Sequence, residues 1–368
     1  PARYQFYYPD PRGKFTSIFG DSLERVVCNT SKKFNTEKKI HGHKKLFESD
    51  LNPLFRCFSE NYDATDTPEL QTAFFDIETD FNQEKGFAPP EDPFNSITAI
   101  SLHLSWLKRT ICLAIKPDTL TKEQAQAICD KFEDTVLFDT EAGMLESFLD
   151  LIDDADILTG WNSEGFDIPY TVNRVARVLS KSHTRKFCLW EQYPKKRTFE
   201  RFGAENETFD LLGRVHLDYM QLYRKYTYHE MHSYSLDAIG EYEVGEKKVA
   251  YDGTLNELYE NDIDKFVQYN LQDVKLVKKI DDKLDFIEIA RGLAHLGHVP
   301  YEDVFMSSRY LEGAILVYCK KVGLVAPDKR RDGRKLLGRD MFEGAYVQDP
   351  QRGKHDWVYD LDVTSMYP

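Results

Sequence analysis

The sequence predicts an α/β fold, a mixed sheet with flanking helices, over residues 71 to about 290. Three observations predict it. The run Thr72–Thr79 has strand character and is followed by two further strand-like runs, Ser96–Ser105 and Arg109–Ile115, that read as a pair. Glu141–Ile152 has a helical rhythm and leads into a short apolar strand, Asp156–Gly160. Farther on, Phe266, Tyr269, Asp273, Val277 and Ile280 recur at the three- to four-residue spacing of one helix face. Strands and helices that alternate along a chain build a sheet covered by helices.

Each element follows from its own residues. Residues 1–70 are rich in Tyr, Phe and short strand-like runs, with a helical stretch expected around Leu46 to Tyr62, and are taken as an N-terminal domain. In Thr72–Thr79 successive side chains alternate faces, so Asp76 and Glu78 share one face while Phe75 and Ile77 pack on the other. After Gly160 the chain turns through Gly165 into Asp167-Ile168-Pro169. Pro suits a first helical turn, and Tyr170, Val172, Val175, Val178 and Leu179 continue the rhythm, which puts Asp167 at a helix N-terminus. Residues 197–211 alternate around a Gly/Asn turn and read as a β-hairpin. Residues 291–368 form a third region.

The acids carry the chemistry. Asp76 and Glu78 repel on one strand face and are tolerated more easily with a cation between them. Asp167, at a helix start, lies near N–H groups that a phosphate could share. Tyr269 and Asp273 are neighbours one helical turn apart, so a phenol stands beside a carboxylate and could hold a water. Together these residues could build a phosphodiesterase site with two divalent ions roughly 3.5–4 Å apart, which activate the water and stabilise the leaving oxygen. The oxygen-only donors favour Mg²⁺ or Mn²⁺ over zinc.

At these residues the chain resembles the proofreading 3′→5′ exonuclease domain of family B DNA polymerases, especially those of tailed bacteriophages. Thr159-Gly-Trp-Asn-Ser-Glu-Gly-Phe-Asp-Ile-Pro-Tyr-Thr-Val-Asn-Arg-Val175 carries the phage-like character. The resemblance implies a ribonuclease-H-like, DEDD-type fold for residues 71–290. It also implies that Asp76 bridges two ions, that Glu78 and Asp273 bind the water-activating one, that Asp167 supports the second through its water shell, and that Tyr269 orients the attacking water.

Tyr359-Asp-Leu-Asp-Val-Thr-Ser-Met-Tyr-Pro368 is similar to the first polymerase motif of the same family, with Met366 in the usual Leu position. That likeness makes residues 291–368 a linker and the start of the polymerase palm. Asp362 would be a ligand of the polymerase metals, the Val363 carbonyl would complete a metal contact, and Tyr367 would lie under the incoming sugar. Phe342-Glu-Gly-Ala-Tyr-Val347 resembles the element that joins exonuclease and polymerase and touches the template. DNA contacts are thereby implied for Asn162, Phe166, Arg197, Arg201, Phe342 and Gly344, with the hairpin helping to part primer from template.

Without the later palm and fingers motifs, no polymerisation is expected from this chain alone. The expected partners are a single-stranded or frayed DNA 3′ end, the remainder of the polymerase in the same or a separate chain, and a sliding clamp in the full enzyme.

Composition sets the remaining bounds. With 368 residues and 41% hydrophobic content the chain can bury an ample core, and no apolar run approaches membrane-spanning length. The six cysteines are scattered without zinc-site spacing, which fits a reducing cytoplasm, and His41, His43, His295 and His298 are expected at the surface or in loops.

A net charge of −14 runs against DNA binding, but the distribution offsets it. From Lys181 to Phe202 seven basic residues face two acidic ones, interleaved with aromatics on which bases could stack. Between Lys320 and Arg339 eight basic residues face two acidic ones. Two other readings stay open on the sequence: an independent DEDD exonuclease and a non-catalytic DNA-binding module.

Overall fold

In a computed structural model the structure describes residues 4–62, 68–201, 204–329 and 346–361. Residues up to Pro327 make one compact unit and those from Asp328 onward a second, whose residues 346–361 carry no helix or strand.

The first unit begins with strands β1 (Tyr4–Pro9), β2 (Phe15–Ser17) and β3 (Ser22–Cys28), then helices α1 (Ser31–Ile40) and α2 (Pro53–Asn61). The helix expected from Leu46 starts only at Pro53. Phe47 is held as an extended bridge residue between Tyr7 and Pro327. Pro53 then enters the first helical turn, and the Asn52 side chain accepts the Leu54 N–H at 2.9 Å.

Next come β4 (Thr72–Thr79), β5 (Ile97–Leu104), β6 (Arg109–Ile115), α3 (Lys122–Lys131), β7 (Thr135–Phe138), α4 (Glu141–Leu151), β8 (Ile157–Gly160) and α5 (Asp167–Val178). The hairpin β9 (Lys195–Arg201) and β10 (Ala204–Asp210) follows, then β11 (Val215–Asp218), α6 (Tyr219–Tyr226), α7 (Leu236–Val244) and α8 (Leu255–Asn261). The unit ends with α9 (Ile263–Leu284), α10 (Phe286–Gly297), α11 (Ser307–Lys321) and β12 (Leu324–Val325).

Six strands form the central sheet in the order β11-β8-β4-β5-β6-β7. β11, β8 and β4 run parallel, β5 is antiparallel to both β4 and β6, and β7 is parallel to β6, so the sheet is mixed. Helices cover both faces, and the period-2 alternation of β4 divides the core between them. Phe75 and Ile77 pack with Phe148 of α4 and Ile168 and Tyr170 of α5. Phe74, on the opposite face, packs with Val274, Val277 and Ile280 of α9. The alternation read from sequence, an α/β sheet with flanking helices, is the observed one.

Two contacts set the position of the site elements. A Cβ on Gly160 would meet the Phe75 carbonyl oxygen at 2.5 Å, so β8 can lie this close to β4 only with glycine there. Arg174 of α5 donates to Glu141 at 2.7 Å and to the Pro93 carbonyl at 2.9 Å, and Glu141 also accepts the Ile97 N–H at 2.9 Å. This buried, bidentate network ties α5 to α4 and to the start of β5.

The first sheet has the order β1-β3-β2-β12. Its fourth strand comes from the far end of the unit: Leu324 and Val325 pair in parallel with Thr16 and Ser17. Nothing in the sequence reading anticipates this return.

Candidate active site

β4 delivers the first two acids. Asp76 and Glu78 project from the face that meets α9, and the β4–β5 register shifts between Glu78 and Thr79. Such an irregularity beside a site re-aims a side chain. α9 runs across this face and presents Asp273, fully buried, and Tyr269 one turn earlier. Single carboxylate oxygens of Asp76, Glu78 and Asp273 all lie within 4.8 Å of one another.

Asp167 stands outside this trio. It opens α5 as the sequence predicts, and its Oδ1 accepts the backbone N–H of Ile77, the residue between Asp76 and Glu78, at 3.1 Å. Asp167 therefore ties the start of α5 to the strand that bears the other two acids. Its carbonyl oxygen accepts the Thr171 hydroxyl at 2.6 Å.

A residue that sequence reasoning missed completes the cluster. Lys248, in the segment between α7 and α8, places Nζ 2.6 Å from Asp273 Oδ2 and 3.1 Å from the Tyr269 hydroxyl. Its own N–H donates to Asp237 Oδ1 at 2.9 Å, which fixes the segment on α7. The Tyr251 ring meets the Tyr269 ring edge-on at a centroid distance of 5.4 Å. The only sequence signal was a Lys-Lys pair in a loop, and such pairs are common on solvated surfaces.

The electrostatics follow from the crowding. Burial, then the Asp273 charge, push Asp76 up to about 7 despite Lys248. Burial, followed by Asp76 and Asp273, raises Glu78 well above the usual carboxylate range. Asp167 is raised by burial and then by Asp76, against the pull of the Ile77 N–H. Burial raises Asp273 too, and Lys248 opposes it. Lys248 is destabilised as a cation by burial, but Asp273 and Asp76 outweigh this and raise it.

The residues fit a divalent cation. The donors are all hard carboxylate oxygens, they repel one another, and Asp273 Oδ1 is buried with no hydrogen-bond partner among the described residues. A buried, unpaired carboxylate oxygen beside two further acids is what a cation would satisfy.

Of the remaining sequence candidates, Asn162, Phe166 and Arg197 are described with their side chains. Asn162 adopts the left-handed conformation (φ 62°) in the turn after β8. Phe166 is half-buried against the core, its ring 5.1 Å from that of Tyr170. Arg197, near the base of the hairpin, bonds to Asp210 at 2.8 Å and also to Glu164, in the turn that leads to Asp167. It lines a cleft of about 450 Å³ together with Phe199, His216, Asp218 and Glu302. The side chain of Arg201 and residues Phe342, Gly344, Asp362, Val363 and Tyr367 lie outside the described residues.

The basic cluster of residues 181–202 is less open than its charge count suggests. Arg185, Lys186, Lys196 and Arg197, four of its seven cations, are paired with Glu191, Asp150, Glu207 and the Glu164/Asp210 pair.

A mixed sheet whose central strand carries two acids that meet an acid from a crossing helix is the arrangement of a carboxylate-centred site suited to metal-assisted phosphodiester cleavage. Residues 26–239 match the family described as DNA polymerase family B, exonuclease domain, and the chain belongs to that family.

The chain is 29% identical over 378 residues to the DNA-directed DNA polymerase of Escherichia phage RB69, a match covering 96% of this chain and 41% of that protein. With the DNA-directed DNA polymerase of Enterobacteria phage T4 it shares 30% identity over 233 residues, 63% of this chain and 25% of that protein. With the DNA polymerase delta catalytic subunit of Drosophila melanogaster it shares 28% over 247 residues, 62% and 22% of the two chains. The chain thus spans between 22% and 41% of these relatives' lengths. Among the described residues no helix is long and apolar enough to cross a membrane.

Proposed function

We propose that this chain is the proofreading 3′→5′ exonuclease portion of a replicative family B DNA polymerase, hydrolysing the terminal phosphodiester of a single-stranded or frayed DNA 3′ end. The observation that carries the reading is the convergence of Asp76, Glu78 and Asp273 within 4.8 Å, with Tyr269 and Lys248 meeting at the last of them. The domain is of the ribonuclease-H-like, DEDD type, a reading supported by the mixed sheet order around β4.

Asp76, Glu78 and Asp273 would hold the metal, with Asp167 alongside through its bond to Ile77. When bound, two divalent cations, Mg²⁺ or Mn²⁺, supply an activated water and stabilise charge on the leaving 3′ oxygen. Tyr269 orients the attacking water through its hydroxyl. Lys248 fixes that hydroxyl and balances part of the charge on Asp273. Burial of Asp167 and Asp273 keeps bulk water from fully screening these interactions.

Arg197 ties the hairpin to the turn that leads into Asp167 through Glu164, so a strand parted at the hairpin would be delivered toward the acids. Asn162, Phe166 and Arg201 would contact that strand, and Phe342 and Gly344 the template. Asp362, Val363 and Tyr367 belong to the start of the palm. The rest of the polymerase and a sliding clamp complete the working enzyme in the cytoplasm.

The test is digestion of a 5′-labelled single strand with Mg²⁺, comparing the native chain with Asp76→Ala/Glu78→Ala. Stepwise loss from the 3′ end that disappears in the variant is expected. Digestion that persists in the variant, or binding without digestion, would remove the assignment.

A further inference from the structure

We infer that the surface made by α1 and the loop after it is a second contact for single-stranded DNA, separate from the carboxylate site. Taking DNA as the ligand rests on the nuclease reading above, whereas the surface itself rests on different residues. Between Ser31 and Phe47 the chain carries Lys32, Lys33, Lys38, Lys39, Lys44 and Lys45 against one acid, Glu37, although the whole chain has a net charge of −14.

Among the described residues none of these six lysines has a carboxylate partner. Lys38 donates to the Ser49 carbonyl at 2.7 Å, and Glu37 is directed to His41. In the hairpin cluster, by contrast, four cations are neutralised by the protein's own acids. Unneutralised like charges crowded on one short helix and its following loop repel. A phosphate backbone relieves that repulsion and releases its own counterions when it does so.

Aromatic rings sit among the cations. The Tyr8 ring stacks on His41 at a centroid distance of 4.3 Å, with Lys44 Nζ 4.2 Å from its centroid. Phe19 is 61% exposed, and Lys45 Nζ lies 4.1 Å from its ring. An exposed ring flanked by a cation offers one unpaired base a stacking face and the next phosphate a charge, a combination suited to a single strand. In a duplex the bases are already stacked on one another. The platform is firm, because Phe34 of α1 packs against the Tyr4 and Phe6 rings and Phe6 is fully buried.

The experiment measures binding of a labelled thymidine oligonucleotide of about 20 residues by fluorescence anisotropy in EDTA, over a range of salt concentrations. Loss of three phosphate contacts in Lys32→Ala/Lys39→Ala/Lys45→Ala should weaken binding and make the slope of log K against log salt shallower by about 2. Phe19→Ala should weaken binding several-fold and leave that slope unchanged.

Hydrolysis of the p-nitrophenyl ester of thymidine 5′-monophosphate with Mn²⁺, a substrate whose single base and phosphate are both engaged at the acids, should be the same in all variants. It also reports the nuclease reading independently, since a native chain inactive on this ester would count against that reading alone. Unchanged oligonucleotide affinity and slope in the triple variant would overturn the inference, as would a loss confined to duplex DNA.

Discussion

Lys248 and Asp273 stand 25 residues apart in the chain, yet the Lys248 ammonium lies 2.6 Å from Asp273 Oδ2. The same ammonium reaches the Tyr269 hydroxyl at 3.1 Å, so one cation fixes both the acid and the phenol of α9. Its charge also opposes that of a cation brought to Asp273 Oδ1, the oxygen it leaves unpaired among the described residues.

Lys248→Gln should therefore act in two directions. Without the competing charge, Mn²⁺ should bind more tightly, as read by titration calorimetry. Hydrolysis should fall, on the order of ten- to a hundred-fold, because Tyr269 loses the partner that orients it. Weaker Mn²⁺ binding in the variant would show that Lys248 does not compete with the ion.

Metal binding should depend steeply on pH. Burial and Asp273 push Asp76 up to about 7, so below that pH a proton competes with the cation for this carboxylate. Affinity for Mn²⁺ should climb as pH rises from 6 to 8, with proton release visible as a dependence of the calorimetric heat on buffer. In the metal-free chain the sign for stability is opposite. The folded pKa lies above the unfolded one, so this contribution is fully present below about 4 and is lost as pH rises through about 7. Asp76→Asn should remove part of that loss and raise the melting temperature in EDTA at pH 8.

Gly160→Ala tests the close approach of β8 to β4. The added methyl would meet the Phe75 carbonyl oxygen at 2.5 Å and Ser163 Cβ at 3.1 Å. Overpacking of this kind costs about 1–3 kcal/mol, which urea unfolding would register. Because the pressure falls next to Asp76, hydrolysis should drop more than stability alone accounts for.

His216 gives a second pH signature, beside the turn that leads into Asp167. Its Nε2 lies 2.9 Å from Ser163 Oγ, and burial lowers its pKa to about 4. The folded state thus binds fewer protons than the unfolded state between about 4 and 6.5, and stability falls as pH drops through that window, by on the order of a few kcal/mol. His216→Gln should flatten the fall of melting temperature between pH 7 and pH 4.5. An unchanged slope would show that the imidazole takes up its proton alike in the folded and unfolded states.

The central sheet was legible because its signals are local. β4 alternates cleanly between core and acid, Pro169 marks the first turn of α5, and α9 repeats its buried face over 22 residues. Asp76, Glu78 and Asp273 could be picked out for the same reason, each standing at a definite position of a periodic element. Lys248 was hidden because its value comes from where the loop between two helices lands, a tertiary outcome with no period of its own.

The pairing of Arg197 with Glu164, across 33 residues, was hidden for the same reason, and with it the neutralisation of the basic hairpin. The helix misjudged at Leu46 shows local propensity overruled by the extended pairing of Phe47 with Tyr7 and Pro327.

The parallel pairing of β12 with β2 has a bearing on how the molecule is made. Thr16 and Ser17 leave the ribosome some three hundred residues before Leu324 and Val325, so the sheet nearest the start of the unit waits for its last strand until translation has passed the whole carboxylate-bearing sheet. During that interval one edge of β2 is uncovered. Nascent chains stalled before residue 324 should be the ones that chaperones hold longest.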